Sequence, residues 1–117
     1  MIFAAIDWAE QSHMLVVLDA EGKTIDKTRI GHDRTGFGEL DRMLLRHGIL
    51  AAEVPVAIEL NDGVLVDWLL HQGYLVYGLN PKSAERARER FTPASLKDDE
   101  RDAWAMAEFL RTSHQHL

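Results

Sequence analysis

Four acidic residues of this chain could act together as ligands of divalent metal ions: Asp7, Glu59, Asp99 and Asp102. Asp7 and Glu59 each end an apolar run, whereas Asp99 and Asp102 form an Asp-x-x-Asp motif that opens an amphipathic segment. Four carboxylates in one cleft cannot all stay ionised without a counter-charge, which a cation supplies. Hard oxygen ligands select magnesium or manganese, and a pair of such ions stabilises the attacking and leaving oxygens of a phosphodiester displacement. The four acids therefore predict a two-metal site that cleaves and joins nucleic-acid strands.

The Asp-x-x-Asp motif has the spacing of one helical face. Residues three apart on a helix are neighbours, so Asp99 and Asp102 should point the same way, and Met106 marks that side as inward-facing. Acids at a helix start are more often caps, and an aspartate after a strand is more often a turn residue. Their occurrence after strand one, after strand four and at the last helix favours a shared site.

Hydrophobic periodicity predicts the elements that would position these acids. Short apolar or alternating runs predict five strands, at 2–7, 14–18, 24–30, 54–59 and 74–79. Helical spacing and capping residues predict four helices, the third over 81–90 and the last over 98–112, with 91–96 as a loop. Gly48 and Gly73 are placed to end the first two helices, and either Asn61 or Asp62 to cap the second.

Three meandering strands followed by helix-strand-helix-strand-helix is the element order of an RNase H-like, or RuvC-like, α/β fold. We expect a mixed five-stranded sheet with strand order 3-2-1-4-5, strand 2 antiparallel and helices on both faces. Strands one and four are parallel neighbours in that order. Asp7 and Glu59 should therefore lie side by side at one edge of the sheet, where open α/β sheets bind their ligands.

The bulk composition fits one domain over residues 1–117. The chain has 117 residues, 46% of them hydrophobic, and contains no cysteine, which excludes disulfides and thiolate metal sites. Its start has no basic region of a signal peptide, and polar residues interrupt the most apolar stretch, 63–79. These features predict a cytoplasmic protein without a membrane partner.

A net charge of -6 is unusual for a protein that binds phosphates, but one segment is basic. The segment from position 82 to position 97 contains five basic and two acidic residues, a local net charge of +3. A solvated helix face is the alternative interpretation of such a segment. The predicted nucleic-acid-binding residues are Lys82, Arg86, Arg88, Arg90 and Lys97. The histidines and tryptophans are expected to be packing or surface residues.

Four segments resemble the N-terminal RuvC-like DEDD domain of the insertion-sequence transposases related to the Piv invertases. They cover nearly the whole chain: AIDWAEQSHMLVVLDAEGK, VAIELNDG, GYLVYGLNP and SLKDDERDAWAMAEFL. The family pattern carries over onto Asp7, Glu59, Asn80-Pro81, Lys97, Asp99 and Asp102 with Ala103. Asp98 replaces the usual Thr or Ser and adds a third acid, but only Asp99 with Asp102 has the family spacing followed by Ala.

The resemblance implies a magnesium-dependent recombinase that acts on DNA, in a family with members guided by RNA. It also implies a C-terminal transposase domain with a serine nucleophile, which is absent from this sequence, and a homo-oligomeric full-length protein. The catalytic residues would be Asp7, Glu59, Asp99 and Asp102.

Two other functions share this fold. Actin-like and sugar-kinase domains also have an aspartate after strand one, but they need glycines in the next turn to bind phosphate, and residues 8–11 here are Trp-Ala-Glu-Gln. The second alternative is a non-catalytic module that binds RNA or DNA or mediates dimerisation. Absence of metal binding would favour it.

Overall fold

One mixed sheet forms the centre of the molecule. The computed structural model describes residues 1–9, 11–47, 50–59, 63–91 and 98–114. The strands are Phe3–Asp7 (β1), Ser12–Leu18 (β2), Thr24–Gly31 (β3), Pro55–Glu59 (β4) and Leu75–Leu79 (β5). Their order is β3-β2-β1-β4-β5, with β2 antiparallel to β1 and β3, and with β1, β4 and β5 parallel. This is the predicted order.

In the described part of the chain, four α-helices connect and cover the strands: Arg34–His47 (α1), Val64–Gln72 (α2), Pro81–Phe91 (α3) and Asp99–Ser113 (α4). A short 3-10 helix, Ala51–Glu53, precedes β4 and has no counterpart in the sequence prediction. Gly73 ends α2 with a left-handed φ of 90°, as expected for a glycine C-cap.

The predicted cap of α2 is wrong. The helix begins at Val64, so the capping position belongs to Gly63, whose extended backbone carries no side-chain cap, and not to Asn61 or Asp62. Those two residues, Gly48, Lys97 and the predicted loop beyond Phe91 lie outside the described residues.

The alternation of side chains along the strands divides the core into two layers. Successive strand residues point to opposite faces. Ala4, Ile6 and Leu15 pack against α1 and α2 on one face, whereas Phe3, Ala5, Met14 and Val16 pack against α3 and α4 on the other. The central strands are buried on both faces, which explains their continuous apolar sequences. In the described part of the chain no helix is long and apolar enough to cross a membrane.

Candidate metal and nucleic-acid site

Asp7 and Glu59 end neighbouring parallel strands, as predicted. Ile6 of β1 pairs with Ile58 of β4, so the acid that follows each lies at the same edge of the sheet. Both acids have the strand parity of Ala5 and Ala57, which pack on the α3 and α4 side. The backbone therefore directs both carboxylates toward the start of α4.

Asp98 has a structural role at that helix start. Its side chain accepts a hydrogen bond from the backbone N–H of Arg101 at 2.7 Å, which makes it the N-cap of α4. Capping accounts for the additional acid in the sequence. Asp99 and Asp102 then lie in the first turn, and Oδ1 of Asp102 is buried, whereas the Asp99 side chain is 51% exposed. Only Asp102 faces inward as expected.

Three of the four acids share one electrostatic environment. The pKa of Asp7 is raised from 3.8 to about 7, first by burial and then by the negative charges of Asp102 and Asp99. A side-chain hydrogen bond with Asp99 raises this pKa further, while the charge of Arg88 lowers it. The protonated form of Asp7 is therefore favoured up to about pH 7, chiefly because burial disfavours the charged carboxylate.

Two of the four acids also contact arginines. Arg88 of α3 lies 3.4 Å from Glu59, and Arg29 of β3 lies 3.0 Å from Asp99. Among the described residues, no three histidine, aspartate or glutamate side chains are grouped so that they could hold one metal ion. The four acids lie at one edge of the sheet, but Glu59 and Asp99 form ion pairs with arginines.

The donor set fits a divalent cation in its chemistry. All four candidate ligands are carboxylates, the hard oxygen donors that magnesium and manganese prefer. The negative charges of Asp102 and Asp99, which together with burial raise the pKa of Asp7, would favour a cation at this position. A cation would compete with Arg29 for Asp99 and with Arg88 for Glu59.

His13 fixes the backbone immediately after Asp7. Its imidazole is fully buried, and Nδ1 accepts a hydrogen bond from the N–H of Ala9 at 3.0 Å. Nε2 lies 2.8 Å from Nδ1 of His32, so a proton on Nε2 can be donated to that ring. Burial, followed by the neighbouring His32, lowers the pKa of His13 from 6.5 to about 4. The neutral ring is thus a packing residue, as the sequence predicted, and supports the end of β1.

The predicted nucleic-acid-binding residues divide into two groups. Lys82, Arg86 and Arg90 are exposed on α3, whereas Arg88 is half-buried against Glu59. The α3 helix therefore presents three cations to solvent and one to the acidic edge. Lys97 lies outside the described residues.

Arg29 is the residue that sequence reasoning missed. The alternating sequence of β3 predicted only a half-exposed edge strand, in which a charged residue is ordinary. Its position beside Asp99 depends on the register of three strands and on the placement of α4. No local sequence signal carries that information.

Comparison with known proteins identifies the family of the chain. Residues 4–117 match the family DEDD_Tnp_IS110, which is described as a transposase. The chain belongs to this transposase family. The predicted resemblance to insertion-sequence transposases is confirmed.

Two curated relatives of the transposase domain are each 38% identical to it. One is "Putative transposase y4uE" of Sinorhizobium fredii (strain NBRC 101917 / NGR234), over 112 residues that make up 94% of this chain and 31% of that protein. The other is "Mini-circle putative transposase for IS117" of Streptomyces coelicolor (strain ATCC BAA-471 / A3(2) / M145), over 117 residues, 98% of this chain and 28% of that protein. The chain thus spans less than a third of the length of these relatives.

Two solved structures share the fold. A Thermus thermophilus RuvC in complex with a Holliday junction substrate superposes with a TM-score of 0.59 at 18% identity, covering 98% of this chain and 96% of that one. A second T. thermophilus RuvC structure gives a TM-score of 0.52 at 18% identity, with 96% of each chain covered. The transposase domain therefore has the predicted RNase H-like, RuvC-like fold.

Proposed function

We propose that this domain cleaves and transfers DNA strands with magnesium or manganese held by Asp7, Glu59, Asp99 and Asp102. The observation that carries the proposal is the placement of Asp7 and Glu59 at the ends of neighbouring parallel strands, with Asp99 and Asp102 of α4 close enough to Asp7 for their negative charges to raise its pKa. Packing alone does not explain why acids are grouped at the ends of buried strands, because each carboxylate loses solvation energy when it is buried. A cation-binding role offsets that cost.

The side chains of the domain have distinct roles in this proposal. Asp7 is held by a strand whose following backbone is fixed by buried His13, so its carboxylate is preorganised. Asp102 projects from the first turn of a capped helix, beside Asp99. When bound, divalent ions would stabilise the attacking and leaving oxygens of the phosphodiester displacement. Arg88 and Arg29 balance the carboxylates in the absence of metal.

Thermal melting with manganese tests the proposed ligand set. Metal that binds only the folded state should raise the melting temperature, and at ten times the dissociation constant the gain is about 1.4 kcal/mol. Asp102→Asn removes a repelling charge, so the metal-free domain should become slightly more stable while its response to manganese weakens. Asp67→Asn is the matched control, because Asp67 is exposed on α2, on the opposite face of the sheet.

The outcomes separate the proposal from its alternative. A full manganese shift in Asp102→Asn, or no shift in the unmodified domain up to millimolar metal, would exclude this ligand set. Retained nucleic-acid binding without any metal response would favour the non-catalytic module, which the pairing of Glu59 and Asp99 with arginines also suits.

We further propose that the exposed cations of α3 bind the nucleic-acid backbone, together with Arg88 and Lys97. Replacing Arg86 and Arg90 by glutamine should weaken binding to DNA of any sequence and reduce its salt dependence, by up to about 0.9 in the log–log slope for each lost phosphate contact. Arg88 is left unchanged because it contacts Glu59. Binding titrations at several salt concentrations measure the effect, and an unchanged slope would contradict it.

The remaining partners concern the whole protein. We propose that the domain works with a second transposase domain that supplies a serine nucleophile, with a guide RNA and in a homo-oligomer. The small share of the curated relatives that this chain spans supports the proposal of further domains.

A further inference from the structure

Arg29 is placed on the acidic edge by the register of the sheet. Asp7 pairs with Met14, and Met14 pairs with Arg29, so the three residues form a row across β1, β2 and β3. Residues paired in this way point to the same face of a sheet. The guanidinium of Arg29 therefore rises on the same side as Asp7 and α4.

Two hydrogen-bond partners hold the guanidinium of Arg29 at the acidic edge of the sheet. One Nη2 nitrogen donates to Asp99 at 3.0 Å, and Nη1 lies 3.4 Å from Oγ of Ser12. The Arg29 side chain is 48% exposed. It also lines an open groove of about 580 Å³ between the sheet and α4, together with Arg101, Trp104 and the three acidic residues Asp98, Asp99 and Glu100. The charged group is thus accessible to a large ligand.

A cation at Asp99 would change the balance of charge around Arg29. In the absence of metal, Arg29 neutralises the carboxylate that a divalent ion would bind. An exposed ion pair contributes only about 0–1 kcal/mol, so a divalent ion can replace this partner at little cost. The guanidinium would remain tethered to β3 beside the metal, with its donors available. Phosphate is the ligand for which the planar donors of arginine are best suited.

We propose that Arg29 is a phosphate-binding residue that pairs with Asp99 until a divalent cation occupies this carboxylate, and then contacts the nucleic-acid backbone. This inference rests on the proposed metal site. It differs from the proposal for α3, whose exposed cations would bind phosphates with or without metal.

DNA binding with and without calcium tests the inference without relying on catalysis. The probe is a fluorescein-labelled DNA duplex, and the measured quantity is its affinity by fluorescence anisotropy. Calcium should increase the affinity of the unmodified domain by about tenfold, the effect of one charge-assisted contact. Arg29→Gln should lose most of this gain, while Arg29→Lys should keep part of it.

Arg46→Gln is the matched control. Arg46 also pairs with an aspartate of β3, Asp26, at 3.3 Å, but it belongs to α1 on the other face of the sheet. This variant has the same change in net charge and should keep the full calcium-dependent gain.

The manganese melting shift of Arg29→Gln should be at least as large as that of the unmodified domain, because a competitor for Asp99 has been removed.

The combined results distinguish failure of the inference from failure of the metal site. A normal calcium-dependent gain in Arg29→Gln, with a manganese melting shift in the unmodified domain, would overturn the role of Arg29 alone. Loss of the manganese shift in Arg29→Gln would also overturn it, since Arg29 would then be needed for metal binding. Absence of that shift in the unmodified domain would overturn both proposals.

Discussion

Gly36→Ala is expected to destabilise the domain by about 3 kcal/mol, near the upper end of the usual effect of overpacking. Gly36 is buried in α1, and a Cβ built there would lie 2.0 Å from the carbonyl oxygen of Gly31 and 2.7 Å from its nitrogen. These are backbone atoms at the end of β3, so no side-chain rotation can relieve the overlap. The helix would have to move away from the sheet.

Gly38→Ala in the same helix is the matched control. A Cβ at Gly38 would meet only Nη1 of Arg42 at 3.5 Å, which is ordinary contact with a flexible side chain. Alanine should therefore stabilise the helix by about 0.5–1 kcal/mol. Urea unfolding of both variants measures the difference, and equal stabilities would show that α1 does not pack on β3 as described.

Asp7→Asn is expected to stabilise the metal-free domain by about 2 kcal/mol near pH 8. The pKa of Asp7 is about 7 in the folded protein and 3.8 in the unfolded chain, so the folded state retains a proton that the unfolded state has lost. This contribution is fully present below about pH 4 and is lost as pH rises through about 7. The full shift would give about 4 kcal/mol, which we halve because solvent screens a partly exposed carboxyl.

His13 has the opposite effect on stability over part of the same range. Its pKa is about 4 when folded and 6.5 when unfolded, so protonation of the unfolded chain destabilises the fold as pH falls from 6.5 to 4. The two effects oppose each other in this interval, while that of Asp7 continues alone to about pH 7. Asp7→Asn should therefore show stability that increases with pH between about 4 and 6.5.

The pH dependence is measured by urea unfolding in a chelator across the range from about pH 4 to pH 8. Asp67→Asn, at an exposed site of α2, should follow the unmodified domain at every pH. If Asp7→Asn gives the same pH curve as the unmodified domain, the carboxyl does not hold a proton at neutral pH.

The sequence was most informative where an acidic residue follows an apolar run of strand length. The apolar runs before Asp7 and Glu59 are long enough to be strands, and the order of elements permits few topologies, so the sheet order followed. The inward stripe of α4 was also predictable, since Ala103, Met106 and Leu110 repeat at helical spacing and are all buried.

Details that depend on distant residues were not predictable. The contacts of Arg29 and Arg88 with the acids join elements far apart in sequence, and Asp98 could be assigned to capping only from its hydrogen bond. Gly36 gives no local sign that it lies against β3. The start of α2 was misplaced because Asn61 and Asp62 are strong capping types, whereas the helix begins after Gly63.

Anomalous diffraction from crystals of the domain grown with manganese tests the proposed site most directly. We expect manganese peaks bound by the carboxylates of Asp7, Glu59, Asp99 and Asp102, with the guanidinium of Arg29 displaced from Asp99. Manganese absent from this edge at saturating concentration, or bound only elsewhere, would contradict the proposal that these four acids form a metal centre.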